Sequence, residues 1–186
     1  MSYPLAVPLR ADSARVRGQM LAAARRRIEG GDVELPLNAV AKDAGVGVGT
    51  VYRHFATRQA LLEALAADSL DALAGEAARA SDHPDPVAAL RDVLAAALDR
   101  LRADPALAVV LAASDTADPA TAQRGRALLD SLGRLLERAR AAGAVRPDVT
   151  ADDLRALACG VQHAAEVAGA GQTARYLDIL LAGLRP

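Results

Sequence analysis

Apolar residues return every three or four positions along most of this chain, the spacing that gathers them on one face of an α-helix. Val16, Met20 and Ala24 form one such stripe, Leu61, Leu65 and Leu73 a second, and Leu154, Leu157, Val161 and Ala165 a third. No stretch competes as a strand. Polar punctuation sets the boundaries. Asp-Pro recurs at 85–86, 104–105 and 118–119, and each pair reads as a helix N-cap followed by a first helical residue. The aspartate oxygen accepts from free first-turn amides, and proline there gives up no needed donor. Thr150 and Asp153 have capping-box spacing, with Asp in place of the usual Glu or Gln. Gly30-Gly31, Gly45, Gly143 and Gly169 mark stops. The pattern predicts helices near 12–29, 37–44, 48–55, 57–80, 86–103, 105–113, 119–142, 151–168 and 172–184, preceded by an arm of about ten residues with two prolines. The fold class is all-α, with nine helices.

Composition agrees. Hydrophobic residues make up 52% of the 186, much of that alanine, which favours helix and lets helices pack closely. The aromatic residues are Tyr3, Tyr52, Phe55 and Tyr176. The net charge of -1 hides an asymmetry: residues 1–58 carry nine Arg/Lys against five Asp/Glu, and the remainder carries thirteen against eighteen. A basic head and an acidic body point to a head that meets phosphate. The single cysteine, Cys159, excludes an internal disulfide, and with three histidines it offers no zinc-site spacing, so no metal is expected. No stretch reaches the roughly 20 apolar residues of a membrane span and no signal-peptide run opens the chain, so a cytoplasmic location and no membrane partner are expected.

The segment 36–65 reads PLNAVAKDAGVGVGTVYRHFATRQALLEAL. Two short helices meet at a tight turn. Ala41 is small enough to sit where they touch, Gly45 turns the chain, and Val51 packs the second helix back onto the first, which together meet the needs of a helix-turn-helix. In the second helix Val48, Val51 and Phe55 are expected to face inward, turning Thr50, Arg53 and His54 outward toward a major groove. The alternating glycines at 45, 47 and 49 do not make a nucleotide loop, because no strand precedes them and no Lys-Ser/Thr follows, and no cofactor is expected.

The run AGVGVGTVYRHF at 44–55, followed by Thr57-Arg58 and a leucine-rich helix, resembles the signature of the TetR family of transcriptional regulators. The resemblance is specific over about residues 12–65. It implies a DNA-binding domain at 1–56, with helices one to three reading DNA, and an effector-binding and dimerisation domain at 57–186. There, helices four to seven enclose a pocket and helices eight and nine pair between protomers. It places Asn38, Thr50, Tyr52, Arg53, His54 and Arg58 on double-stranded operator DNA, with Arg53 able to read guanine through its two-donor fork and Arg58 placed against phosphate. Packing is the competing role for Tyr52. Pro36 and Leu37 replace the Thr or Ser that many members place at the start of helix two, and Gly47, Val48 and Gly49 replace polar or basic residues. Direct base readout is therefore expected to be thin, with the operator chosen partly by shape and with help from Arg10, Arg15 or Arg17. Arg25, Arg26 and Arg27 read as a solvated face near a helix C-terminus.

The expected dimer face comprises Leu154, Leu157, Val161 and Ala165 on one helix and Leu177, Leu180, Leu181 and Leu184 on the next, with Gly160 and Ala164 allowing close approach; a four-helix bundle would cover it. Residues 59–186 hold one aromatic, Tyr176, so a pocket would be built from Leu94, Leu98, Val110, Leu132 and Leu136, with His163 as a polar handle, and would take a small apolar effector. Cys159, His163 and Glu166 share a helix at catalytic-looking offsets, but on a dimerising helix they read as interface or lining, and no enzyme is assigned. The functional expectation is a ligand-responsive repressor that binds a palindromic operator as a homodimer. The alternative is a TetR-like helical ligand- or protein-sensing module without operator binding.

Overall fold

The computed structural model of the chain describes residues 7–32 and 34–186, with side chains from Asp12 onward apart from that of Ala170. The described residues form helices α1 (Val7–Glu29), α2 (Leu37–Ala44), α3 (Val48–His54), α4 (Arg58–Ser81), α5 (Pro86–Ala103), α6 (Pro105–Ala112), α7 (Pro119–Ala141), α8 (Ala151–Ala168) and, after a 3-10 turn at Ala170–Gln172, α9 (Thr173–Gly183). Among these residues there is no strand. Most boundaries fall within a residue or two of the sequence reading. The exception is α1, which begins at Val7 instead of 12. Pro8 sits in the first turn, where a missing N–H costs nothing and the fixed φ suits a helix. Residues 1–6 of the expected arm lie outside the described residues.

The caps explain the agreement. Asp85 accepts from the amides of Val87 and Ala88 at 2.9 and 3.0 Å, and Asp104 accepts from those of Ala106 and Leu107 at 3.0 and 3.2 Å. Asp118 departs from this pattern: α7 has no side-chain cap bond, and the Thr121 hydroxyl donates to the Asp118 carboxylate at 3.4 Å. At α8 the box closes fully. Thr150 Oγ1 accepts from the Asp153 amide at 3.1 Å, and the Asp153 carboxylate accepts from the Thr150 amide at 2.8 Å.

The chain divides into a first unit ending at Leu65 and a second spanning Ala66–Pro186. The division falls inside α4, downstream of the 56/57 boundary expected from the sequence. Leu61, Leu62 and Leu65 of the first turns of α4 are buried, as are Met20, Val40, Val51 and Phe55 of the same unit. In the second unit α5 and α8 are the hubs: α5 packs on α6, α7, α8 and α9, and α8 on α5, α6, α7 and α9. The buried face of α5 carries Leu90, Leu94, Leu98 and Leu101, and Leu107, Leu135, Leu136 and Leu154 of the surrounding helices are also buried. Burial of this kind contributes roughly 1.5–3 kcal/mol per large aliphatic side chain.

Candidate nucleic-acid interface

The first unit is organised around the α2–α3 turn. Gly45 closes α2 in the left-handed region, at φ 67°, a conformation glycine adopts without strain. Its amide donates to the Lys42 carbonyl at 3.2 Å and that of Val46 to Ala41 at 3.0 Å. Ala41 and Val51 are buried, as their roles in a helix-turn-helix require. Phe55 is buried too, and the Arg17 guanidinium lies over its ring at 4.6 Å, a cation–π contact that fixes part of α1 against the end of α3.

The sequence reading of α3 needs one correction. Val48 does not face inward; it is 44% exposed. It lies at the very start of α3, one turn before buried Val51 reaches the core, and Tyr52, four residues on, shares its outward face at 49% exposure. That exposure removes the core-packing role considered for Tyr52. Arg53 and Asn38 are exposed, and Thr50 and His54 are half-buried. The Arg53 side chain folds back along the helix: its Nε donates to the Gly49 carbonyl at 3.2 Å and its Nη2 to Thr50 Oγ1 at 3.5 Å.

Thr57 caps α4, accepting from the Ala60 amide at 3.1 Å. Arg58, the next residue, donates from Nε to the Glu34 carbonyl at 2.8 Å, so it also braces the α1–α2 connection. Arg27 likewise differs from the solvated face expected for the 25–27 run. It pairs with Asp32 and, through Nε at 2.7 Å, with Asp43 of α2. The hydrogen bond to Asp32 is the larger cause that raises its pKa above the usual arginine value. Arg25 and Arg26 are exposed, as expected of that face. Arg15 is exposed beside Asp12 at 3.6 Å. The Arg10 side chain lies outside the described residues.

In the second unit the expected lining residues separate. Leu94, Leu98, Leu132 and Leu136 are buried and line none of the described cavities; they are core. Val110 does line a cavity, of about 390 Å³, with Leu70, Leu111, Leu128 and Leu129 as its apolar wall and Ser114, Thr116, Arg126 and Arg155 among its polar groups. Ser114 and Thr116 sit on the α6–α7 connection, which has no helical period, whereas Arg126 lies within α7 and Arg155 within α8. His163 lines none of the described cavities; its side chain is 79% exposed, with Nδ1 3.8 Å from the Glu166 carboxylate. Cys159 is half-buried, and desolvation pushes its thiol pKa up, which disfavours the reactive thiolate.

The expected dimer residues divide by face. Leu154, Ala165, Leu177 and Leu184 are buried within the protomer and have little area to lose to a partner. Leu157, Gly160 and Ala164 point outward, Val161, Leu180 and Leu181 are half-buried, and Ile179, which the sequence reading passed over, is 57% exposed. An open groove of about 700 Å³ runs between α8 and α9, with Leu157, Ile179, Leu180 and Gly183 in it and Arg146, Asp148 and Asp153 along its edge.

Comparison with known proteins assigns the fold. Residues 20–65 match the model for bacterial regulatory proteins of the TetR family, and residues 85–186 match that for the C-terminal domain of SbtR-like transcriptional regulators. The TetR transcriptional regulator SCO0520 from Streptomyces coelicolor is similar at 31% identity over 91% of this chain and 98% of its own, with a TM-score of 0.55. The TetR transcription regulatory protein from Mycobacterium vanbaalenii is similar at 32% identity over 96% of this chain and 100% of its own, with a TM-score of 0.50. A protein from Rhodococcus sp. RHA1 shares 25% identity over 92% of this chain and 96% of its own, with a TM-score of 0.61. No curated protein matches the chain. Among the described residues no helix is long and apolar enough to cross a membrane. The chain belongs to the TetR family and is a DNA-binding transcriptional regulator, not an enzyme.

Proposed function

We propose that this regulator is a ligand-responsive repressor that binds a palindromic operator as a two-fold dimer. The observation that carries the reading is the outward face of α3, where Tyr52 and Arg53 are exposed and Thr50 is half-buried opposite a buried Val51–Phe55 side, in a unit with more basic than acidic residues. Such a helix presents side chains to base edges, while Asn38, His54 and Arg58 supply phosphate or backbone contacts around it. The outward apolar residues of α8 and α9 support pairing with a second copy: a two-fold interface buries the same patch on both protomers and offers two heads to two half-sites. Selection of bound duplexes from a random pool tests the reading. A recovered palindrome is the expected result, with light scattering of the free protein giving the mass of a dimer. A monomer at micromolar concentration, or no enriched sequence, overturns it.

The effector reading changes with the cavity. Its volume of about 390 Å³ falls within the range of small-molecule sites, roughly 300–1,000 Å³. An apolar wall with Ser114, Thr116, Thr121 and Arg126 around it suits a compact molecule with an apolar body and one polar group. Arg155, also in the lining, donates from Nη1 to the Leu111 carbonyl and from Nε to Asp152 at 3.1 Å, tying the C-terminal end of α6 to α8. A molecule that engages Arg155 shifts this tie, and a ligand that favours one arrangement of α6 opposes or supports DNA binding by the same factor with which DNA affects the ligand. A thermal-shift screen followed by titration of hits against operator-bound protein checks this. Hits that stabilise the protein without changing operator affinity would rule it out.

A further inference from the structure

The first residues of the recognition helix carry no polar side chain. Gly47 precedes it without a side-chain cap bond, and Val48 and Gly49 open it. A Cβ built on Gly49 would meet nothing within 4 Å, and one on Gly47 only Thr50 Oγ1 at 3.7 Å, so the glycines leave open space around Val48. Val48 and Tyr52 lie four residues apart on one face, 44% and 49% exposed, with Gly49 between them. Isolated apolar side chains on a protein surface are ordinary. Two on one face of a seven-residue helix are not isolated, and this is the helix that the operator-binding reading sets against the bases.

The chemistry of the major groove limits what such a pair can recognise. Guanine, adenine and cytosine present hydrogen-bond donors and acceptors there; thymine alone among the four bases adds an apolar group, the C5 methyl. A valine or a phenol ring against a donor or acceptor would leave that group without a partner, whereas against a methyl it excludes water from two apolar surfaces. The missing side chains at 47 and 49 let the backbone come close enough for Val48, which is short, to reach a base edge. Arg53 lies one residue beyond Tyr52, resting on Gly49 and Thr50, and from there it can turn to a guanine.

We propose that Val48 and Tyr52 are specificity-determining residues that select thymine in each operator half-site by packing on its C5 methyl group. The proposal rests on the operator-binding reading above and replaces thin base readout at this helix with apolar readout.

The test uses the full chain and the best duplex recovered from the random pool. Each thymine is replaced in turn, in both half-sites, by deoxyuridine, which removes only the methyl and keeps base pairing. Affinity is measured by fluorescence anisotropy at one fixed salt concentration. The expected result is a three- to ten-fold loss at one or two thymine positions per half-site and a change within twofold at the others. Val48→Ser then binds thymine and uracil duplexes equally at its position, and Tyr52→Phe keeps its uracil penalty, because the ring and not the hydroxyl makes the contact. Uracil tolerated at every position, or a penalty that survives Val48→Ser at full size and moves with the Tyr52 hydroxyl, overturns the proposal while leaving operator binding intact. Failure to enrich any sequence overturns both. Should Val48→Ser fold poorly by circular dichroism, the uracil series on the native chain decides alone.

Discussion

Two parts of this molecule expose large apolar side chains, and their surroundings point them to different partners. Of the six exposed among the described residues, Val48 and Tyr52 are on α3, Leu157 and Val167 on α8, and Ile179 on α9; Val87 of α5 is the other. On α3 the neighbours are Thr50, Arg53 and His54, hydrogen-bonding or cationic groups suited to a polyanion. On α8 and α9 the neighbours are Gly160, Ala164 and Gly183, with two charge pairs nearby, Arg146 with Asp148 at 2.6 Å and Arg91 with Asp178 at 2.8 Å, and exposed Arg175 one turn before Ile179. Small residues permit close backbone approach, and paired charges make few demands on a partner, so that surface suits a copy of itself. Apolar exposure alone therefore says only that something binds; the residues beside it say what.

The largest effect should come from breaking the second surface. Leu157→Arg with Ile179→Arg places two like charges per protomer in the outward groove, where a two-fold partner would bring the same charges against them. Light scattering should report a monomer, and operator affinity should fall by about 10²–10⁴, the scale on which linking two binding modules raises affinity. A dimer that survives both substitutions would place the interface elsewhere.

The opposite side of the same helix should behave differently. Leu154 is fully buried within the protomer, so Leu154→Ala should cost about 2–5 kcal/mol of unfolding stability. Chemical denaturation measures this, with dimer mass unchanged under native conditions. If Leu154→Ala dissociated the dimer at little cost in stability, the division of α8 into an inward and an outward face would be wrong.

On the head, Arg53→Ala should cost about 1–3 kcal/mol of operator affinity and relax the preference at one base position. Arg58→Ala should weaken all sequences alike and lower the salt slope by about one, the mark of a lost phosphate contact. Because Arg58 also donates to the Glu34 carbonyl, a small loss of stability should accompany it. Affinity measured on cognate and scrambled duplexes across a salt series separates the two residues.

Helix order and most boundaries were legible in the sequence because local chemistry sets them: Asp85-Pro86, Asp104-Pro105 and the Thr150–Asp153 box each act within one turn. The turn of the recognition motif was legible for the same reason, through Ala41, Gly45 and Val51. Facing was harder. Val48 shares the helical period of Val51 and Phe55, yet at the first position of α3 there is no preceding turn to cover it. On α8, Leu154 and Leu157 are both apolar and only three residues apart, so periodicity assigned one stripe where tertiary packing makes two. The cavity was not foreseen because its polar lining joins the α6–α7 connection, which has no period, to single positions of α7 and α8 that spacing along the chain does not bring together, and the leucines nominated for it are buried elsewhere in the core. Ion pairs such as Arg27 with Asp43 depend on helices meeting, which spacing along the chain does not report.

The smallest expected effect separates the two surfaces by pH. The helix bearing the outward apolar face starts at a charged cap, whereas α3 starts at Gly47, which has no side chain to titrate. Hydrogen bonds from the Thr150 amide, and then from its hydroxyl, hold the Asp153 carboxyl below its usual range. A carboxyl whose pKa is lowered on folding contributes stability that is fully present above its unfolded pKa, near 4, and that fades as pH falls through the lower folded value. Asp153→Asn should thus be less stable than the native chain at pH 7, and the difference should shrink below about pH 5 and vanish once the native carboxyl is protonated. Thermal melts of both proteins from pH 7 to pH 3 measure that difference directly. A gap that stays constant across the series would mean that the asparagine changes the geometry of the cap, not its charge. A gap that widens in acid would contradict the direction of the shift.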